Sequence, residues 1–132
     1  MCEKLQGSWK LVTSEGFDDF MKALGVDMAT RMIASRLKPG VIISNNGDNW
    51  SIKTMSNFST TELCFKLNEE VDETTADKRK CKTIFTLEDG KLIQSQKWDC
   101  KESIITREVQ NDQMITNCTY GNVKCRRVYE KN

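Results

Sequence analysis

The chain has 132 residues, with 20 Lys and Arg against 19 Asp and Glu, so its formal net charge is +1. That length fits one domain with a sizeable core, residues 1–132, and the balanced charge supplies no overall cationic field for a nucleic acid partner. The chain has no histidine. Because histidine is the commonest general base and metal ligand, we expect neither an enzyme nor a bound metal or cofactor.

The N-terminal sequence MCEKLQGSWK lacks the apolar core of a signal peptide, and no apolar run approaches the ~18 residues of a membrane span. We therefore expect a cytoplasmic protein, with a nuclear fraction left open. The six cysteines would suit a disulfide framework in a secreted chain. In a reducing compartment we expect free thiols instead.

Residues 5–13, LQGSWKLVT, alternate enough to predict a first strand. The period then changes to that of a helix, with apolar residues at Phe17, Phe20, Met21 and Leu24. Asp27 suits the N-cap of a second helix, which ends before Pro39. The sequence thus predicts a short helix-turn-helix after the first strand.

Turn signals recur about every ten residues after Pro39. They are NNGDN at 45–49, EDGK at 88–91, WDCK at 98–101, QNDQ at 110–113 and YGNV at 120–123. This regular spacing predicts an all-β antiparallel meander of roughly ten strands, folded as a sandwich or as an up-and-down barrel.

Two adjacent arginines, Arg126 and Arg127, lie in the last predicted strand. Side chains alternate between the faces of a strand, so only one of the two can face solvent. If Gly121-Asn122 is a two-residue hairpin loop, Arg127 lies opposite Thr116. Arg126 then shares the outer, solvated face, which we assign to Glu108, Asn117, Thr119, Arg126, Val128 and Glu130.

The inner face also carries a second arginine if Asn111-Asp112 forms the preceding loop, because Thr116 then lies opposite Arg107. Arg107, Thr116 and Arg127 thus form one row, the arginine row, across three neighbouring strands, with the arginine backbones about 10 Å apart. Tyr129 lies one pleat along on the same face. The neighbouring inner positions are largely apolar and comprise Ile105, Val109, Met114, Cys118 and Cys125. Taking Asp99-Cys100 as a further loop adds Leu92, Gln94 and Gln96.

Two guanidinium groups beside a phenol, set among apolar groups, predict a receptor for a carboxylate, because the arginine fork binds a carboxylate bidentately. The alternative is an internal ion pair. The last four strands offer no inward carboxylate, whereas the first six leave the alternative open. A closed barrel of about ten strands is wider than the eight that side chains can fill. We therefore expect a cavity for an amphipathic molecule with a carboxylate head.

The chain resembles the intracellular fatty acid-binding proteins, on the branch of the adipocyte, myelin P2, epidermal and testis members. The resemblance rests on GSWKLV, GFDDFMKALGV, ATR, KPGVIIS, FKLNEEVDETTADKRK, QKWD, KESIITR and CRRVYEK. It implies a ten-stranded antiparallel up-and-down β-barrel, with the two helices as a lid between the first two strands. It also implies a lipid cavity in which Arg107, Arg127 and Tyr129 hold the ligand carboxylate.

The resemblance implies further cavity and portal positions. These candidates are Phe17, Phe20, Met21, Phe58, Asp77, Arg79, Gln96, Ile105, Met114, Thr116 and Cys118. Plain core packing is the alternative for the aromatic residues, and a solvated turn is the alternative for Asp77 and Arg79. Two positions depart from the family pattern: Cys100 replaces a turn glycine, and Met32 replaces a lysine of the lid.

We expect a non-enzymatic, monomeric cytosolic carrier that delivers long-chain fatty acids between membranes, enzymes or nuclear receptors. Its helical lid is expected to contact membranes transiently. The alternatives are a retinoic acid carrier, a membrane-stacking structural protein and a lipid-modifying enzyme. The last is disfavoured because the chain lacks both histidine and a GxSxG motif. Cys118 and Cys125, as cross-strand neighbours, are expected to remain thiols.

Overall fold

The computed structural model describes residues 2–132. Ten strands and two helices follow a short 3-10 turn at Cys2–Leu5. The elements are β1 (Gly7–Glu15), α1 (Phe17–Ala23), α2 (Met28–Ala34), β2 (Gly40–Asn46), β3 (Asn49–Met55), β4 (Thr60–Phe65), β5 (Val71–Thr74), β6 (Lys80–Glu88), β7 (Lys91–Trp98), β8 (Lys101–Gln110), β9 (Gln113–Tyr120) and β10 (Val123–Lys131). The predicted all-β architecture with a helical insertion is confirmed.

The ten strands form one antiparallel sheet that curls into a nearly closed barrel. Each strand pairs with its neighbours in sequence except at the step from β4 to β5, and β1 also pairs with β10. The order ends at β4 on one side and β5 on the other, so these two strands are not hydrogen-bonded to each other. The predicted up-and-down barrel, rather than a sandwich, is therefore the observed fold.

The predicted strand register is also observed at the three hairpins whose loops are Asp99-Cys100, Asn111-Asp112 and Gly121-Asn122. Arg127 pairs with Thr116, and Thr116 pairs with Arg107. Cys100 stands where the family pattern has a turn glycine, and cysteine disfavours the left-handed backbone that a glycine would adopt there. The structure nevertheless places Cys100 at φ 60° and the preceding Asp99 at φ 46°. The tight loop is kept, and Gln94 pairs with Ile105 as predicted.

The helices cover the end of the barrel where β1 passes into α1. Gly16 adopts φ 75°, and a β-carbon there would lie 2.5 Å from the carbonyl oxygen of Lys124, so glycine is required for the close approach to β10. Helix α1 buries Phe20 and Met21, whereas no residue of α2 is buried. Asp27 caps α2 as predicted, accepting a hydrogen bond from the backbone N–H of Thr30 at 2.8 Å.

The opposite end of the barrel is closed by a packed apolar core. Trp9 is fully buried and donates from Nε1 to the carbonyl oxygen of Leu5 at 2.9 Å. Phe65 stacks on Phe85 with ring centroids 3.6 Å apart. Because the core fills this end only, the space nearer the helices is left for a cavity.

One prediction about the outer face is wrong. Val128 was assigned to the solvated face, but only 7% of it is exposed, and its cross-strand partner Ile115 is 5% exposed. Alternation along a strand decides which face a side chain occupies, but it does not decide whether that face is covered.

Among the described residues, no helix is long and apolar enough to cross a membrane.

Candidate functional site

Two adjacent chambers occupy the barrel interior. The lid chamber, about 290 Å³, lies under α1 and α2 and is lined by Phe17, Met21, Thr116, Arg127 and Tyr129 among others. The inner chamber, about 450 Å³, adjoins it and is lined by residues that include Ile52, Leu63, Phe85 and Gln94. The two chambers share Thr54, Thr61, Glu73, Gln96, Ile105 and Arg107. Arg107 therefore lies on the boundary between them.

Arg127 is 7% exposed and is held by neutral groups. Its Nη1 donates to Oγ of Ser14 at 3.1 Å, and its Nε lies 3.4 Å from the hydroxyl of Tyr129. The guanidinium carbon lies 3.8 Å from the ring centroid of Phe17, which is a cation–π contact. No carboxylate among the described side chains forms an ion pair with Arg127. Its charge is thus oriented by its neighbours without being neutralised.

Arg107 is the second cation of the row, and its free surface faces the two chambers. Its Nη1 donates to Oε1 of Gln94 at 2.9 Å. Burial lowers the pKa of Arg107, and the nearby Cys118, Tyr129 and Glu73 partly oppose this shift. Arginine remains charged even so, because its ordinary pKa lies far above neutral pH. A buried cation without a carboxylate at contact distance is energetically favourable only if an anion can approach.

Thr116 lies between the two arginines in the row. Only 6% of the residue is exposed, and its hydroxyl Oγ1 has no hydrogen-bond partner within the described part of the chain. A buried hydroxyl normally finds a partner, because an unmet one costs free energy. The three side chains Arg107, Thr116 and Arg127 therefore present unmet donor capacity toward one place.

Glu73 is a functional candidate that sequence reasoning missed. Its Oε1 accepts hydrogen bonds from the Thr83 hydroxyl at 2.7 Å and from the amides of Gln94 and Gln96 at 3.0 Å each. Because the other end of Gln94 accepts from Arg107, the amide links the carboxylate to the guanidinium. The available signal was the alternation of VDET in β5, which places Glu73 on the same face as Val71.

The lid chamber brings several predicted portal residues together. Phe17, Phe20 and Met21 of α1 line it from above, and Phe58, in the turn between β3 and β4, is 51% exposed at its rim. These side chains are apolar, so they suit the hydrocarbon part of a ligand. Met114 is different: it is fully buried in the core and is not among the residues lining either chamber.

Asp77 and Arg79 also line the lid chamber, where they form an ion pair with Nε to Oδ2 at 2.6 Å. Burial raises the pKa of Asp77, but hydrogen bonds from Arg79 and Thr75 outweigh it, so the pKa lies below its ordinary value. The Arg79 guanidinium also stacks on Trp98, 4.4 Å from the ring centroid. This pair is neutral overall and is not a solvated turn.

Gln96, Ile105 and Cys118 line the lid chamber, as their predicted inward orientation requires. Cys118 and Cys125 are cross-strand partners and both are free thiols. The Cys125 thiol donates a hydrogen bond to the Cys118 sulfur, and this bond together with burial raises the pKa of Cys125. Among the described residues, no group of His, Cys, Asp and Glu could hold a metal ion.

Comparisons with known proteins agree with this architecture. The profile of the lipocalin / cytosolic fatty-acid binding protein family matches residues 6–132. A protein of Pygoscelis papua described as "Fatty acid-binding protein, adipocyte" is 51% identical over 131 residues, covering 99% of each chain. Solved structures with high similarity include a Schistosoma mansoni fatty acid binding protein in complex with arachidonic acid, at 36% identity and a TM-score of 0.96, covering 99% of this chain and 98% of that one.

A further solved structure, the REP1-NXSQ fatty acid transporter, is 42% identical with a TM-score of 0.96 and covers 98% of this chain and 97% of its own. Both the family profile and the curated relative extend over nearly all of the sequence. The similarity therefore concerns the barrel, the lid and the site together. This chain belongs to the lipocalin / cytosolic fatty-acid binding protein family.

Proposed function

We propose that the protein is a carrier of long-chain fatty acids, with the ligand carboxylate held by Arg107, Arg127 and Tyr129. The observation that carries this proposal is the inward row of two guanidinium groups that lack a carboxylate partner among the described side chains. The Thr116 hydroxyl between them is unpartnered as well. A carboxylate placed there accepts charge-assisted hydrogen bonds from several donors at once.

Two free energy terms support a fatty acid over a small anion. Each buried CH₂ of the chain contributes about 0.8 kcal/mol. Hydrogen bonds to a charged group contribute about 1.5–3 kcal/mol each. The apolar walls under the lid bury the hydrocarbon chain, and the arginine row donates the hydrogen bonds to the carboxylate. The relatives named above are themselves described as fatty acid-binding proteins, one of them with arachidonic acid bound.

The carrier is proposed to act as a monomer of one domain in the cytoplasm and, as a further step, in the nucleus. It performs no chemistry on the ligand, in keeping with a family of binding proteins. Delivery to membranes is assigned to the lid, where Met28 and Met32 of α2 and the nearby Phe58 are 66%, 52% and 51% exposed. Enzymes and nuclear receptors are the other proposed recipients.

The proposal is tested by titrating oleate into the Arg127→Gln variant and measuring heat. Loss of the charge-assisted contact is expected to weaken binding roughly tenfold to a hundredfold, from about 1.5–3 kcal/mol. Arg126→Gln is the matched control, because Arg126 is the adjacent arginine on the exposed outer face. Its affinity is expected to equal that of the wild type. Equal oleate affinity in both variants and the wild type would refute the assigned anchor.

A further inference from the structure

The charged groups inside the two chambers combine to one net positive charge. Arg107 and Arg127 each contribute a positive charge, and Glu73 contributes one negative charge. Asp77 and Arg79 cancel each other in their 2.6 Å ion pair. A ligand with a single negative charge would therefore neutralise the interior as a whole.

Two other carboxylates stand at the rim of the inner chamber but do not belong to this set. Asp72 has an 82% exposed side chain and forms an ion pair with Lys82. Glu62 is exposed and accepts a hydrogen bond from Ser51 at 3.2 Å. Because water screens exposed charges strongly, these two groups act little on the interior.

Glu73 differs from them because every donor that contacts it is neutral. Thr83, Gln94 and Gln96 orient its Oε1, but none of them carries a charge. No described cation lies within ion-pair distance of Glu73. Its negative charge therefore acts on any group that enters the chambers, and a low local dielectric strengthens the effect.

We infer that Glu73 is a specificity-determining residue, which restricts the cavity to ligands with one negative charge. This inference rests on the proposed function. A monocarboxylate brings the interior charge to zero, whereas an α,ω-dicarboxylate of the same chain length brings it to −1. The second carboxylate of the diacid also loses hydration and meets Glu73 instead of a free cation. The class discriminated against is thus the long-chain dicarboxylic acid.

The test compares hexadecanoate and hexadecanedioate by calorimetric titration of the wild type and Glu73→Gln. Glutamine keeps an oxygen that can accept the three hydrogen bonds, so the network and fold are expected to persist. The wild type is expected to prefer the monoacid. In Glu73→Gln that preference is expected to shrink roughly tenfold, which is the size of the Coulomb repulsion between two charges separated by about 12 Å at an effective dielectric of about 20. An unchanged preference in a folded variant overturns the inference.

The control is Glu102→Gln, which removes the same charge from an exposed residue of β8 that contacts Ser95 on the outside. It is expected to leave the preference unchanged, and an equal effect from this variant overturns the inference. A second route leaves Glu73 in place and adds a cation to the inner chamber with Leu63→Lys, compared with the neutral Leu63→Gln. The lysine is expected to reduce the preference for the monoacid over the diacid. An equal preference in these two variants overturns the inference. If hexadecanoate itself fails to bind the wild type, the proposed function is refuted.

Discussion

The hairpin loops show how single residues set the local backbone. In the loop between β8 and β9, Asn111 and Asp112 have φ of 51° and 64°. Asparagine and aspartate tolerate this left-handed region because their short polar side chains bond locally. Cys100 adopts φ 60° in the preceding loop without that advantage. The barrel pairing on both sides of the loop therefore holds Cys100 in an unfavourable conformation.

Cys100→Gly is expected to stabilise the protein by about 1 kcal/mol. Glycine removes the left-handed backbone strain, and this gain exceeds the cost of the greater conformational entropy that glycine gives the unfolded chain. Urea unfolding followed by tryptophan fluorescence measures the change. Cys100→Ala is the matched variant, since it removes the thiol but keeps the β-carbon, and no gain is expected from it. Equal gains in both variants would mean that the thiol, not the backbone, causes the effect.

The strand register was predictable wherever a two-residue loop joined two strands. Such a loop leaves one pairing only, so the row of Arg107, Thr116 and Arg127 followed from the sequence without coordinates. Glu73 could not be placed in this way. Strand β5 has four residues and does not pair with β4, and the loop that joins it to β6 spans residues 75–79, so the two-residue loop rule does not fix its register. The inner carboxylate was therefore missed.

The burial of Val128 and the position of Met114 show a second limit of sequence reasoning. Alternation places a side chain on one face, but the depth of the core and the extent of the cavity depend on the whole barrel. Met114 faces inward as predicted, yet it lies where the core is packed. The helices were easier to predict, because the apolar face of α1 and the cap at Asp27 are local signals.

The two helices of the lid differ in how they are held. Helix α1 packs on β10 and β9 and buries Phe20 and Met21. Helix α2 has seven residues and none of them is buried. A helix this short is marginal without packing, so its stability depends largely on local contacts such as its cap. We therefore expect the lid to open first at α2.

Amide hydrogen exchange is expected to be fastest at 28–34, slower at 17–23, and slowest in β9 and β10. Asp27→Ala should raise exchange further at 28–34 while leaving 17–23 unchanged. A hydrogen bond from Thr30 lowers the pKa of Asp27 below its ordinary value of 3.8. The stabilisation of α2 by the ionised Asp27 cap is therefore complete above pH 3.8 and is lost as the pH falls through the lower, folded-state pKa. Protection at 28–34 equal to that of the strands would contradict this ordering.

At the scale of the whole molecule, charge and apolar surface are distributed unevenly. The net charge is only +1, so long-range attraction to an anionic membrane is weak. The exposed apolar residues Met28, Met32 and Phe58 cluster at the lid end of the barrel, near the chamber that holds the arginine row. Contact with a membrane is therefore expected to depend on apolar insertion at this end more than on charge.

A lysine on the lid should convert this weak contact into a charge-dependent one. For Met32→Lys, transfer of a fluorescent fatty acid to vesicles containing anionic lipid is expected to accelerate roughly fivefold, since a cation near such a surface contributes about 1 kcal/mol. The matched control is Gln110→Lys, which adds the same charge at the turn between β8 and β9. That turn lies at the far end of the barrel, because α1 packs beside the turn at 120–123 instead.

The acceleration should disappear with zwitterionic vesicles and with rising salt, because screening removes the electrostatic term. Gln110→Lys should transfer at the wild-type rate on both kinds of vesicle, since its added charge faces away from the membrane during lid contact. If the two variants accelerate transfer equally, the effect comes from net charge and the lid has no special role. If neither does, transfer proceeds through the aqueous phase and the lid serves only to admit the ligand.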